Sequence, residues 1–221
     1  PRPPIPSHRG ARKVFGLSAE IAQGVSALAQ QQGVTTFMLL LAAFDVLLHR
    51  YTGQETIVVG SPVAGRGRAE TENLIGFFVN TLVLRADVHA ERSFLDLLAS
   101  VRESCLGAYA HADLPFERLV QKLAPERDLS RSPIFQVMFA HQNAPQEAST
   151  GSGRRGVSVE ASTAKFDLLL TTHEGKNRLG GSIEYALDLF EASTVDRLIA
   201  HFQILLAGIV AAPDAPVSAL P

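Results

Sequence analysis

Residues 56–85, TIVVGSPVAGRGRAETENLIGFFVNTLVLR, constrain the fold more than any other stretch of this chain. Thr56, Ile57, Val58 and Val59 form a β-branched run that reads as a buried strand. Gly60 and Pro62 are expected to break it into a loop carrying Gly65, Arg66, Gly67 and Arg68. A second apolar run, Leu74 to Leu84, then returns with one amide, Asn80, set inside it. A Gly- and Arg-rich loop between two core strands is the first place to look for a site. It nearly fits the G-x-x-x-x-G-K-[ST] phosphate cradle but fails where that chemistry is made. Gly67 has no hydroxyl for a metal ion, Arg66 stands in place of the Lys, and Pro62 removes a backbone donor. Nucleotide binding is disfavoured.

The 221 residues suit one large domain or two closely packed lobes, and a hydrophobic share of 46% is ample for a core. With 22 acidic and 20 basic residues the net charge is −2, which gives no nucleic-acid or membrane surface. The single Cys105 reads as a buried thiol and fits a cytoplasmic setting. Residues 1–13 are proline-broken and basic, unlike a secretory signal, and read as a linker from something upstream. The apolar run Phe37 to Leu48 is too short to span a bilayer and contains Asp45.

The spacing predicts a helix over 18–32 stopped by Gly33, and a second from Thr35 or Thr36 to Gly53. The second is apolar almost all round and so is expected to be sandwiched. Leu82, Leu84, Ala86 and Val88 alternate with polar or exposed positions along a strand. Ser93 caps a third helix with Phe94, Leu97, Leu98, Val101, Cys105 and Tyr109 on one stripe. A turn at 111–115 opens a short fourth helix with Phe116, Leu119, Val120 and Leu123 turned inward. Strands are expected at 134–140, 157–162, 166–173 and 182–187, the last two joined through a hairpin loop at 175–180. Residues 143–156 are Gly/Ser/Ala-rich and expected to be mobile. Thr194 caps a final helix bearing Val195, Leu198, Ile199, Phe202, Leu205, Leu206 and Ile209, and residues 213–221 lead away as a linker. The sum is an α/β class, a mixed sheet with packed helices.

No complete catalytic constellation is legible. The seven histidines are scattered without i, i+4 pairs, and no G-x-S-x-G elbow occurs. His49 and His201 read as helix-face residues. His111 with Asp113 is either an acid–base pair or, preferably, a local helix cap. Asn80 either bridges backbone groups at a bulge or lines a tunnel as a neutral hydrogen-bonding amide. Arg66 and Arg68 pair with Glu70 and Glu72, or hold a phosphate or a carrier surface. Arg131 is a turn arginine or part of a pocket wall with Ser132. Ser61 has no base near it in sequence.

Six ordered blocks resemble the C-terminal half of a nonribosomal peptide synthetase condensation domain. They are VVGSPVAGR (58–66), IGFFVNTLVLR (75–85), HADLPFERLV (111–120), SRSPIFQVMF (130–139), KFDLLL (165–170) and IEYALDLF (183–190). Residues 35–57 are similar to the same family's opening helix, so the resemblance covers nearly the whole chain. It implies one lobe of a chloramphenicol-acetyltransferase-like pair, spanning 14–212, with a tunnel between lobes for phosphopantetheine arms. The implied reaction joins an upstream aminoacyl or peptidyl thioester to a downstream amine. Implied partners are the N-terminal lobe, carrier proteins and an adjacent adenylation domain. The family's His-His-x-x-x-Asp-Gly motif is not in these 221 residues, so the chain alone is expected to be inert. Epimerisation relatives tend to carry an acidic block where SPVAGRGR stands, so the resemblance is to a peptide-bond-forming member.

On that resemblance Phe77, Phe78 and Asn80 approach the cleft, with Ser61 to Arg68 beneath it. Arg131, Ser132 and residues 134–139 form another wall, and 143–156 cross toward the partner lobe or pair with another copy. The alternatives are a carrier-binding module without catalysis and a fragment of a related acyltransferase.

Overall fold

The computed structural model describes residues 2–64, 76, 79–123, 128–142, 162–175 and 178–221. Its sheet contains β1 (Gly10–Gly16), β2 (Thr56–Ala64), β3 (Val79–Asp87), β4 (Val137–Gln142), β5 (Leu168–Gly175) and β6 (Arg178–Ala186). Their spatial order is β1-β6-β5-β4-β2-β3. β4 runs parallel to both β2 and β5, and the other neighbours are antiparallel. The helices are α1 (Ala19–Gln31), α2 (Thr36–Thr52), α3 (Phe94–Ala110), α4 (Phe116–Leu123) and α5 (Ala192–Ala211).

The apolar run in α2 dictates the layering. Every residue from Met38 to Leu48 is buried, because α1, α3 and α5 surround the helix above the sheet. Thr35 caps it by accepting from the Met38 N–H at 3.2 Å, and Gly53 ends it at φ 71°. Phe44 lies between Phe139 of β4 and Phe202 of α5, with centroids 6.1 and 6.3 Å away, tying sheet to helices. Burial pushes the Asp45 carboxyl well above the usual carboxylate range. The seven expected positions of α5 are all buried. That helix is long and apolar enough to cross a membrane by composition, but it occupies a core position here.

Several expectations are corrected. Residues 10–13 are not linker: they belong to β1, whose Phe15 packs edge-on to Phe202. Residues 213–221 do not lead away within the chain. Arg50 donates to the carbonyls of Val217 and Leu220, and Val217 and Leu220 are buried. The last helix begins at Ala192 after Glu191, and Thr194 is no cap; its hydroxyl accepts from Arg197. β2 continues through Gly60 and Pro62 to Ala64. Pro62 is tolerated because pairing with β4 stops at Gly60, so among the described residues the strand has one neighbour there. The strand expected at 134–140 occupies Val137–Gln142 instead. Tyr109 is exposed rather than on the buried stripe of α3. Residues 143–156, and 157–161 of an expected strand, lie outside the described residues.

Candidate functional site

Beside the edge strand β3 lies a cleft of about 630 Å³. Its walls come from β3, the turn between α3 and α4, the segment before β4, and Lys165–Phe166. The floor is aromatic. Phe135 is 2% exposed, with Phe116 and Phe166 at centroid distances of 5.5 and 5.7 Å on either side. Gly60 makes this possible, because a Cβ there would collide with the Phe135 ring. The backbone contributes too. The Phe135 N–H donates to the Pro133 carbonyl at 2.8 Å, closing a γ-turn on Ile134 at φ 69°. A β-branched residue at that φ is strained, and the turn is why the strand starts three residues later than expected. The Gln136 side chain braces it by donating to the Ser132 carbonyl at 3.0 Å.

Asn80 is the most connected polar group in the cleft. Its Nδ2 donates to the carbonyls of Ala112 and Leu114, both at 2.8 Å. Its Oδ1 accepts from the backbone N–H groups of Thr81 at 2.8 Å and Phe116 at 3.1 Å. Only one orientation of the amide satisfies two acceptors and two donors together. Both expectations for this residue are therefore modified. It does bridge backbone, but across the α3–α4 turn, and the β2–β3 register contains no bulge. Neither Nδ2 hydrogen is left for a substrate carbonyl.

The other expected residues divide. Asp113 and Ser132 line the cleft with Asn80. Asp113 is not the cap of α4, since the Phe116 N–H goes to Asn80. His111 closes α3 as its C-cap and does not line the cleft. Ser61 is buried opposite Leu82, on the sheet face that carries the helices, and does not line the cleft. Arg131 lies 3.9 Å from Asp128 and lines a smaller cavity with Arg2 and Asp167, which adjoins the cleft through Ser132, Lys165 and Phe166. Arg66, Arg68, Phe77 and Phe78 lie outside the described residues.

Phe135 and Met138 line the cleft from within the wall expected at 134–139, whereas Phe116, Phe166, Glu117 and Lys165 are cleft residues that sequence reasoning missed. The available signal for Phe116 was its place directly after Pro115, at the start of a short helix. His49 and His201 are helix-face residues as expected; their Nδ1 atoms meet the Gln54 carbonyl at 2.7 Å and the Tyr51 hydroxyl at 2.9 Å. Burial pushes the Cys105 thiol up to about 12, which keeps it unreactive.

Among the described residues, the cleft is lined by neither histidine nor cysteine. An apolar floor with Asp113, Glu117 and Lys165 at the rim can hold and orient a long acyl ligand. A mixed six-stranded sheet with one helical layer and a cleft beside its edge strand defines an α/β fold.

The comparisons assign its family: residues 1–221 match the condensation domain throughout, and the chain belongs to that family. It is 51% identical over 225 residues to one of the linear gramicidin synthase proteins of Brevibacillus parabrevis, covering 100% of this chain and 4% of that protein. It is 41% identical over 220 residues to tyrocidine synthase 3 of the same organism, covering 99% of this chain and 3% of that protein. Among solved structures it is similar to holo-AB3403, a four-domain nonribosomal peptide synthetase bound to AMP and glycine. The TM-score is 0.89 and identity 27%, over 99% of this chain and 18% of that one. It is also similar to the X-domain from teicoplanin biosynthesis, with TM-score 0.90 and 26% identity over 100% of this chain and 51% of that one. The mixed six-stranded sheet with packed helices is the fold of these condensation-type structures.

Proposed function

We propose that this chain is the C-terminal half of a peptide-bond-forming condensation domain in a nonribosomal peptide synthetase. It forms one wall of the channel in which carrier-tethered aminoacyl and peptidyl thioesters meet. The observation that carries this reading is convergence. Pro62, Asn80, Phe116, Phe135 and Phe166 come from five separate family-like blocks, yet all line one cleft. Its apolar floor suits the extended thioester arm, and its rim offers hydrogen-bonding partners. Fixing two tethered reactants supplies much of the rate of such a reaction, since it converts an encounter into an intramolecular step. The acid–base group belongs to the N-terminal lobe, because no His-His pair occurs in these 221 residues. Carrier proteins and an adjacent adenylation domain are the partners in this reading, and the setting is cytoplasmic.

An intact-mass assay with two loaded carriers tests it. This chain alone should yield no condensation product above a matched blank, while the parent synthetase does. Product from this chain alone would overturn the assignment.

A second reading, a docking module without catalysis, draws on the likeness to the X-domain, one structure of which is its complex with OxyB. Normal condensation by a parent synthetase with its cleft blocked would favour that reading.

A further inference from the structure

α4 is unlike every other helix in this fold. The apolar residues Phe116, Leu119, Val120 and Leu123 fall on one side, yet the helix has no buried residue, and Leu123 is 63% exposed. None of its residues joins the main core, whereas Ala108 and Ala112 just before it do. Among the described residues it meets the body at β3, through the Phe116–Phe135 contact and the Asn80 hydrogen bond to Phe116, with two more Asn80 bonds to the turn just before it. A helix this short does not hold itself together in water.

We infer that Asn80 is a positioning residue, a side-chain hub on β3 that sets where α4 stands and thereby the width of the cleft. Its two halves act differently. Nδ2 ties the Ala112 and Leu114 carbonyls, fixing the exit from α3. Oδ1 takes the Phe116 N–H, filling the first orphan donor position of α4 in place of a local cap. The cleft residues Phe116 and Glu117 directly follow this anchor, so freeing it moves one side of the cleft while Phe135 and Phe166 stay in place. The inference rests on the proposed function only for what the cleft holds; the positioning stands on geometry alone.

The test is amide hydrogen exchange on the full-length synthetase, read by mass spectrometry. Asn80→Ala should speed exchange across residues 114–123 by about tenfold or more, the scale of a lost buried hydrogen-bond set, with β2 and α3 unchanged. Asn80→Asp keeps the acceptor at the helix start and loses both donors. It should protect Phe116 better than Asn80→Ala while leaving the 112–115 turn loose. Unchanged exchange at 114–123 in Asn80→Ala, or acceleration spread evenly through β2 and α3, would overturn the inference. Product formation is assayed in parallel. If α4 loosens while condensation proceeds at full rate, the positioning stands and the cleft's proposed role falls. If α4 stays fixed, the positioning falls whatever the assay returns.

Discussion

The helix-packed side of the sheet and the cleft side are built on different principles. Around α2 eleven consecutive residues are buried, and Phe44, Phe139 and Phe202 interlock there without any polar device. At the cleft the order depends on individual features: an amide with four hydrogen bonds, a glycine without a Cβ, and a strained turn at Ile134. Area burial is non-directional and tolerates small shifts, whereas those devices specify position. A core is thereby used for stability, and a cleft edge for geometry at little gain in stability.

The sharpest way to break that contrast is a matched pair of truncations. Phe44→Ala should cost about 3–5 kcal/mol in urea unfolding, because the ring is fully buried and its cavity cannot collapse. Phe116→Ala, half-buried at the cleft, should cost about 1 kcal/mol by the area it covers. Equal losses would mean the cleft is simply more core.

Gly60→Ala should come next, at about 1–3 kcal/mol, because the new methyl meets the Phe135 ring. The Phe135 aromatic proton shifts should move with it, while those of Phe202 stay; if both rings stay put, the glycine has another purpose.

A smaller effect is expected at the end of β4. The His141 side chain is 1% exposed, its Nδ1 lies 2.8 Å from the Thr172 hydroxyl, and its Nε2 is buried without a hydrogen-bond partner among the described residues. Burial pushes its pKa below the usual histidine value; Glu174, 4.0 Å away, opposes this and His173 adds to it. The folded state therefore favours the neutral ring. Its stability is full above the ordinary histidine range and declines as pH falls through that range. Urea midpoints at pH 7.5 and 5.5 should differ less in His141→Leu than in the parent chain. An unchanged difference would place the pH dependence elsewhere.

Smallest is Ile134→Asn, expected within about 1 kcal/mol of neutral, since asparagine adopts positive φ more readily than a β-branched residue. A loss above about 2 kcal/mol would show that packing of the isoleucine outweighs relief of the turn.

The same contrast explains what could be read from the residues in order. α1 and α2 were legible because each carries a local stripe with a local stop, Gly33 and Gly53, and α5 was legible from its stripe alone. β1 was not, since GARKVFG becomes a strand only by pairing with β6, some 170 residues away in sequence. The tail was not legible for a similar reason: its anchor is Arg50, far back in α2. In the cleft, Asn80, Asp113 and Ser132 stood out as polar residues in otherwise apolar or turn contexts. Residues 134–139 were expected at a wall, but the aromatic floor itself was not legible, because Phe135 is seated by a γ-turn and by the missing side chain of Gly60, a match that no local pattern records. α4 was expected to face inward because its apolar spacing is real. The spacing does not say whether a surface is there to meet it.

The most direct test of the cleft as the place where tethered acyl groups are held is an NMR titration of this chain with an aminoacyl-loaded carrier protein. Shifts should concentrate at Asn80, Thr81, Phe116, Phe135 and Phe166, and weaken when the carrier lacks its acyl-bearing arm. Shifts centred instead on the apolar groove of Tyr51 and Ile204, or a response indifferent to the arm, would contradict it.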